Sequence, residues 1–203
     1  MKASSNKPVL RPALTLFILL GVLLGGVYPA LVTGLAQAFF PHQANGSIIE
    51  KHGVAVGSEL IGQNFTGAAY FWGRPSASGT FAYNGMASGG SNLGPTNPAL
   101  KQAAEDRAKI LRDAGDGSQR PIPVDLLTAS ASGLDPHISP AAADYQVTRV
   151  AQARGIDAQR LRILVQGHTE APQLGLFGEP RVNVLKLNLA LDEAAPLNQA
   201  AAR

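Results

Sequence analysis

From Pro12 to Phe40 the chain carries no charged side chain. The centre of that run, Ala13–Leu35, reads ALTLFILLGVLLGGVYPALVTGL. Its twenty-three residues at helical rise reach about 35 Å, enough to cross a ~30 Å hydrocarbon core with some tilt. The run predicts a transmembrane helix over residues 12–40. It divides the rest into a basic stub (1–11), one polar domain (41–195) and a short tail (196–203) that frays. About 160 residues outside the membrane make one domain with room for a real core.

The charge balance separates in the same way. The formal net charge is +3, from 17 Lys and Arg against 14 Asp and Glu. Lys2, Lys7 and Arg11 precede the apolar run, so 14 basic residues face 14 acidic ones in all of the chain that follows it. A neutral domain has no electrostatic footprint for phosphate backbones, which argues against nucleic acid as a partner. The excess is an orientation signal. Basic residues flanking a membrane segment stay cytoplasmic, so the N-terminus is expected inside and the polar domain in the periplasm. Ala36-Gln37-Ala38 offers an A-x-A cleavage site, but the apolar run exceeds the roughly 7–15 residues of a signal-peptide core. A retained anchor is the expectation. The absence of cysteine fits an oxidising compartment only weakly.

Within the anchor, Gly21 and Gly25 form a GxxxG pair, and Gly26, Ala30, Gly34 and Ala38 repeat small residues every four positions. Such rows let a second helix approach closely in lipid, so Gly21, Gly25, Gly26, Ala30 and Gly34 are expected to pack on a partner helix. Pro29 removes a backbone donor and crowds the carbonyl of Gly25, predicting a kink near 25–29. Tyr28, Phe39 and Phe40 suit the outer interface.

The polar domain reads as α+β: helix-rich, mixed, with a few short strands. Pro41–Ser47 is turn-rich, and Ser47–Lys51 and Val54–Ile61 are extended candidates separated by His52-Gly53. Aromatics concentrate in Phe65–Pro75, and 76–98 is a Gly/Ser/Asn/Pro-rich loop whose length marks it as functional or disordered. Its Phe81 and Tyr83 favour a packed loop. Asn97-Pro98 opens a helix that Gly115 stops, with Leu100, Ala104, Ala108 and Leu111 inward. Ser139-Pro140 opens another, ended at Gly155, and a third helix covers Ile156–Gln166. Residues 181–194 alternate enough for a strand, yet the Glu179-Pro180 start and the length favour a helix.

Motifs for chemistry are sparse. No lysine follows a glycine, so there is no P-loop, and HExxH, GxSxG and zinc-finger spacings are missing too. Asp135, His137 and Ser139 hold the residue types of a hydrolytic triad, but adjacency is the wrong geometry, and turn-and-cap roles explain them better. His168 and Glu170 offer two ligands, too few for a metal site, and the histidine also suits a helix C-terminus. Ser88, Gly89 and Gly90 place successive amides where an anion can be cradled, with a packed turn as the simpler reading. On the residues alone no cofactor is bound. The rival from another class is an anchored or secreted periplasmic hydrolase using His168, Glu170 or the 135–139 cluster.

Taken in order, LRPAL (10–14), GGVYP (25–29), PHQANGS (41–47), GRPSAS (73–78) and SGGSNLGPTNP (88–98) form a series. PVDLLTASASGLDPHISPAAA (123–143), QGHTE (166–170) and GEPRVNVLKLNLALD (178–192) complete it. The series resembles the KdpC family, the C subunit of the bacterial potassium-transporting ATPase, over essentially the whole chain. That resemblance implies a non-catalytic, single-pass inner-membrane subunit. Its implied partners are a potassium-translocating subunit, a P-type ATPase catalytic subunit and a very small membrane subunit. It also implies a role in assembly, and in raising the ATP affinity of the catalytic subunit as a catalytic chaperone. ATP contact rests on the resemblance alone, and an allosteric route is the one the residues favour. Ser88, Gly89, Gly90, Asp135, His137, His168 and Glu170 are then candidate partner contacts.

Overall fold

The computed structural model describes residues 9–115 and 120–197. Most of the expected basic stub, most of the expected tail and part of the 116–123 loop lie outside the described residues. The chain divides into two compact units, up to Ile48 and from Ile49 onward.

The first unit is one apolar helix followed by a short turn. Helix α1 (Leu10–Val22) passes through a π turn (Leu23–Val27) into α2 (Tyr28–Phe39), giving 30 residues of continuous helix with none of its apolar window buried. The π turn lies where the proline predicts a disturbance. Pro29 has no N–H for the Gly25 carbonyl and its ring crowds that oxygen, so the ladder widens and the Tyr28 N–H reaches Leu23 O. The widening also re-registers the small residues. In a straight α-helix Gly21 and Ala30 stand about 180° apart. Taking one more residue into the turn reduces that separation to about 80°. The helix continues through Ala36–Ala38 without a break, and one turn, α3 (Pro41–Ala44), follows it.

The second unit packs four helices and short strands around one core. β1 (Ile48–Lys51) and β2 (Val54–Ser58) form within the two extended candidates, the second ending three residues early, and they pair with each other. Helix α4 (Pro98–Asp113) starts at Asn97, whose side chain accepts from the Ala99 N–H, and it buries Leu111. A 3-10 turn (Val124–Leu126) and β3 (His137–Ile138) lead to α5 (Pro140–Arg154). Ser139 caps α5 by accepting from the Ala142 N–H, and Gly155 ends it at φ 64°, a left-handed position that glycine takes without strain. α6 (Ala158–Gly167), capped by Asp157, precedes β4 (Thr169–Glu170), β5 (Arg181–Asn183) and α7 (Val184–Ala194). The three short strands form an antiparallel sheet in the order β3-β5-β4. Helices α5, α6 and α7 supply most of the core, with Val147, Val150, Leu161, Leu187 and Leu191 meeting Val182 and Phe71.

One expectation shifts at β5. Pro180 does not open a helix. Residues 181–183 complete the sheet, because Val182 is fully buried between Ile138 and Thr169, its partners on the two flanking strands. The helix starts three residues later, where Asn183 accepts from the Lys186 N–H at 3.1 Å.

Between β2 and α4 there is no regular structure, so the backbone's polar groups need other partners. Side chains of the helices supply them. Asn188 of α7 brackets Phe71, accepting its N–H at 2.9 Å and donating to its carbonyl at 3.0 Å. Gln146 of α5 does the same for Trp72, at 2.8 and 3.1 Å. The guanidinium of Arg149 donates to the carbonyls of Ala68 and Tyr70 and lies 4.1 Å from the Trp72 ring centroid. Arg154 donates to the Ala69 carbonyl and to Asp192. Two amides and two guanidinium groups thus do for residues 68–72 what a neighbouring strand does in a sheet.

Candidate functional site

The sheet brings two sequence-separated segments onto one framework. His137 opens β3, with Asp135 two residues before it, and Glu170 lies on β4, with β5 between the two strands. Asp135 accepts from the His137 backbone N–H at 3.0 Å, faces the imidazole Nδ1 at 3.4 Å, and pairs with Arg74 Nη1 at 3.2 Å. Burial alone would raise the carboxyl's pKa, but the hydrogen bonds from His137 and the Arg74 charge outweigh it and hold the group below its usual value. Ser139 does not join them. Its hydroxyl donates to Asp125 Oδ1 at 3.2 Å and its oxygen caps α5. Among the described residues no hydrogen bond links Ser139 to His137, so the geometry assigns the 135–139 segment turn, ion-pair and cap roles.

His168 and Glu170 diverge. The His168 ring Nδ1 meets the Leu164 carbonyl at 2.9 Å at the end of α6, whereas Glu170 pairs with Arg181 at 3.0 Å across the sheet. His168 also borders an apolar cavity of about 300 Å³ between α6 and α7, with Leu161, Leu164 and Leu191 in its wall.

The glycine-rich loop is packed. Ser88 Oγ donates to the Ser132 carbonyl at 3.0 Å, and the Gly89 N–H donates to the same oxygen at 2.8 Å. A Cβ on Gly90 would stand 3.0 Å from the Ala131 carbonyl oxygen, so the two backbones run in close approach. The Gly89 amide is therefore engaged and is not presented to an anion. Ser76 extends the seam by donating to the Gly133 carbonyl at 2.6 Å. Ser88, Gly89 and Gly90 thus lie beside the chain that leads into Asp135 and His137.

Gly21, Gly25, Gly26 and Gly34 meet nothing within 4 Å of an added Cβ, and Ala30 is exposed. The surface they make on the apolar helix is uncovered. A second exposed apolar feature is the turn closed by the Gln173–Phe177 bridge. There Leu174 is 93% exposed, beside Leu176 and Phe177.

Residues that motif reading passes over make the best-connected polar site. Tyr83 has φ 58°, a conformation uncommon outside glycine, asparagine and aspartate. Its N–H donates to Ser76 Oγ at 2.9 Å and its hydroxyl donates to the Arg74 carbonyl at 2.7 Å. Gly62 and Gly73 admit the ring, since a Cβ on either would collide with it. Burial pushes the Tyr83 hydroxyl up to about 12, with Arg107 and Arg74 opposing and Asp135 adding to the shift.

The whole chain points the same way. Residues 10–193 match the family model described as KdpC, K+-transporting ATPase, c chain. The chain belongs to the KdpC family. Among its relatives is a potassium-transporting ATPase KdpC subunit of Polaromonas naphthalenivorans, 60% identical over 192 residues, which cover 95% of this chain and 98% of that protein. The KdpC subunit of Ralstonia nicotianae is also 60% identical over 192 residues, covering 95% and 94%. That of Polynucleobacter asymbioticus is 59% identical over 186 residues, covering 92% and 98%. With one apolar helix of spanning length, this KdpC-family chain fits a membrane-anchored subunit of a multi-subunit potassium pump.

Proposed function

We propose that this chain is a non-catalytic accessory subunit of an ATP-driven potassium uptake pump, required for assembly of the complex. The observation that carries the reading is the 30-residue apolar helix, uncovered on every side, in a chain of this family. The helix needs lipid or another helix around it, and its small residues leave room for backbone approach. Its companions are a potassium-translocating subunit, a P-type catalytic subunit and a small membrane subunit.

The N-terminus is cytoplasmic and the second unit periplasmic, in the inner membrane, because Lys2, Lys7 and Arg11 all precede the helix. With no natural cysteine in the chain, S88C gives a single thiol. It is labelled in intact cells by an impermeant maleimide if the second unit is outside. Protection until lysis would reverse the orientation.

The chain raises the ATP affinity of the catalytic subunit allosterically, by binding better to one pump conformation. The engagement of the Gly89 amide supports this route over direct nucleotide contact in the glycine loop. Pump assembled with this chain is expected to hydrolyse ATP at a KM several-fold below that of pump depleted of it, with a coupling of about 1–3 kcal/mol. Equal KM values would remove the chaperone role.

A further inference from the structure

Between the 63–76 segment, Tyr83 and α4 lies a cavity of about 230 Å³, walled by Gln63, Phe65, Trp72, Arg74, Tyr83 and Arg107 among others. Its described lining holds two guanidinium groups and no carboxylate. Arg74 is partly satisfied by Asp135 through Nη1, but its Nε is buried with no hydrogen-bond partner. Arg107, half-buried on α4, pairs with no carboxylate among the described residues. An orphaned buried donor is destabilising, so a second cation left without an anion beside it needs a reason. The walls supply one. They are positioned by the Asn188 and Gln146 brackets on Phe71 and Trp72 and by the left-handed Tyr83, and strained residues of this kind gather where something is bound.

We propose that this cavity receives the carboxylate of one aspartate or glutamate side chain from a companion subunit. The inference rests on the accessory-subunit reading above. Three observations select that occupant. The charge of the lining calls for an anion. The guanidinium fork matches a carboxylate in two parallel hydrogen bonds. The volume is below the roughly 300–1,000 Å³ of sites for free small molecules, which suits a single side chain.

The test uses the full chain in the detergent-solubilised complex. R107K keeps the charge and puts an amine in the cavity, and a carbodiimide joins an amine to a touching carboxylate with loss of water. The expected product is a cross-link from position 107 to an aspartate or glutamate of a companion chain, missing in R107Q. An assembled R107K complex with no such link, or with links only to this chain's own carboxylates, overturns the proposal. R107E provides a second measurement that does not depend on R107K assembling. It should lower companion retention on washing by about tenfold or more, while R112E on the same helix retains wild-type levels. Equal retention for R107E also overturns the proposal. If the wild-type chain retains no companion at all, the accessory-subunit reading fails first, and this inference falls with it.

Discussion

Arg149 shows what a single side chain does in this fold. It is 6% exposed, has no carboxylate partner among the described residues, and donates to two backbone carbonyls and to Gln146. Burial drives its guanidinium down to about 10, yet it stays charged at neutral pH. Its replacement by leucine leaves the Ala68 and Tyr70 carbonyls without their donor, removes one of the two hydrogen bonds to Gln146 Oε1 and uncovers one face of Trp72. A loss on the order of 3 kcal/mol is expected. Trp72 is the only tryptophan, so its fluorescence during urea unfolding of the full chain reports the loss directly. A midpoint unchanged from wild type would show that residues 68–72 hold without the guanidinium. Asn188 and Gln146 carry the same burden through neutral amides. All three stand on otherwise apolar helix faces, Gln146 and Arg149 among Ala142, Ala143, Val147 and Val150. That placement is the signal in the sequence that marks them, and it is visible only once the helix phase is known.

At the scale of elements, caps and prolines were readable and pairing was not. Asn97 and Ser139 each cap the helix that their following proline opens, and Gly155 closes α5. These signals are local, so one stretch of chain contains both halves of the interaction. Residues 181–183 are extended for a reason lying elsewhere, in Ile138 and Thr169, and no local rule finds it. The same division holds for the candidate site. Asp135 and His137 were legible as a turn, whereas Arg74, Tyr83 and Arg107 converge from three separate segments. The membrane helix is the element with the sharpest test. The π turn swings Gly21 toward the side of Ala30, and leucine at Gly25 and Gly34 together removes room that two uncovered small residues leave for a partner helix. The G25L/G34L protein is expected to insert normally and to lose most of its companions on co-purification. Full retention would mean that the small residues are lipid-facing only.

For the whole molecule, the domain outside the anchor is a neutral, helix-rich body whose irregular half is tied to its helices by buried polar side chains. That construction makes a stable scaffold with shaped surfaces: the Ser88–Gly90 seam, the β3-β5-β4 sheet and the arginine-lined cavity. It suits a protein whose work is contact. The hydrolase alternative loses its constellation in the fold, because Ser139 is committed to Asp125 and α5 while His168 and Glu170 point to different partners. The most direct test of the central claim is affinity capture of the full-length chain from gently solubilised native membranes, with stoichiometry read by quantitative mass spectrometry. The account predicts a potassium-translocating subunit, a P-type ATPase subunit and a small membrane subunit in fixed ratio to this chain. Recovery of the chain alone, or with those proteins in varying trace amounts, would contradict it.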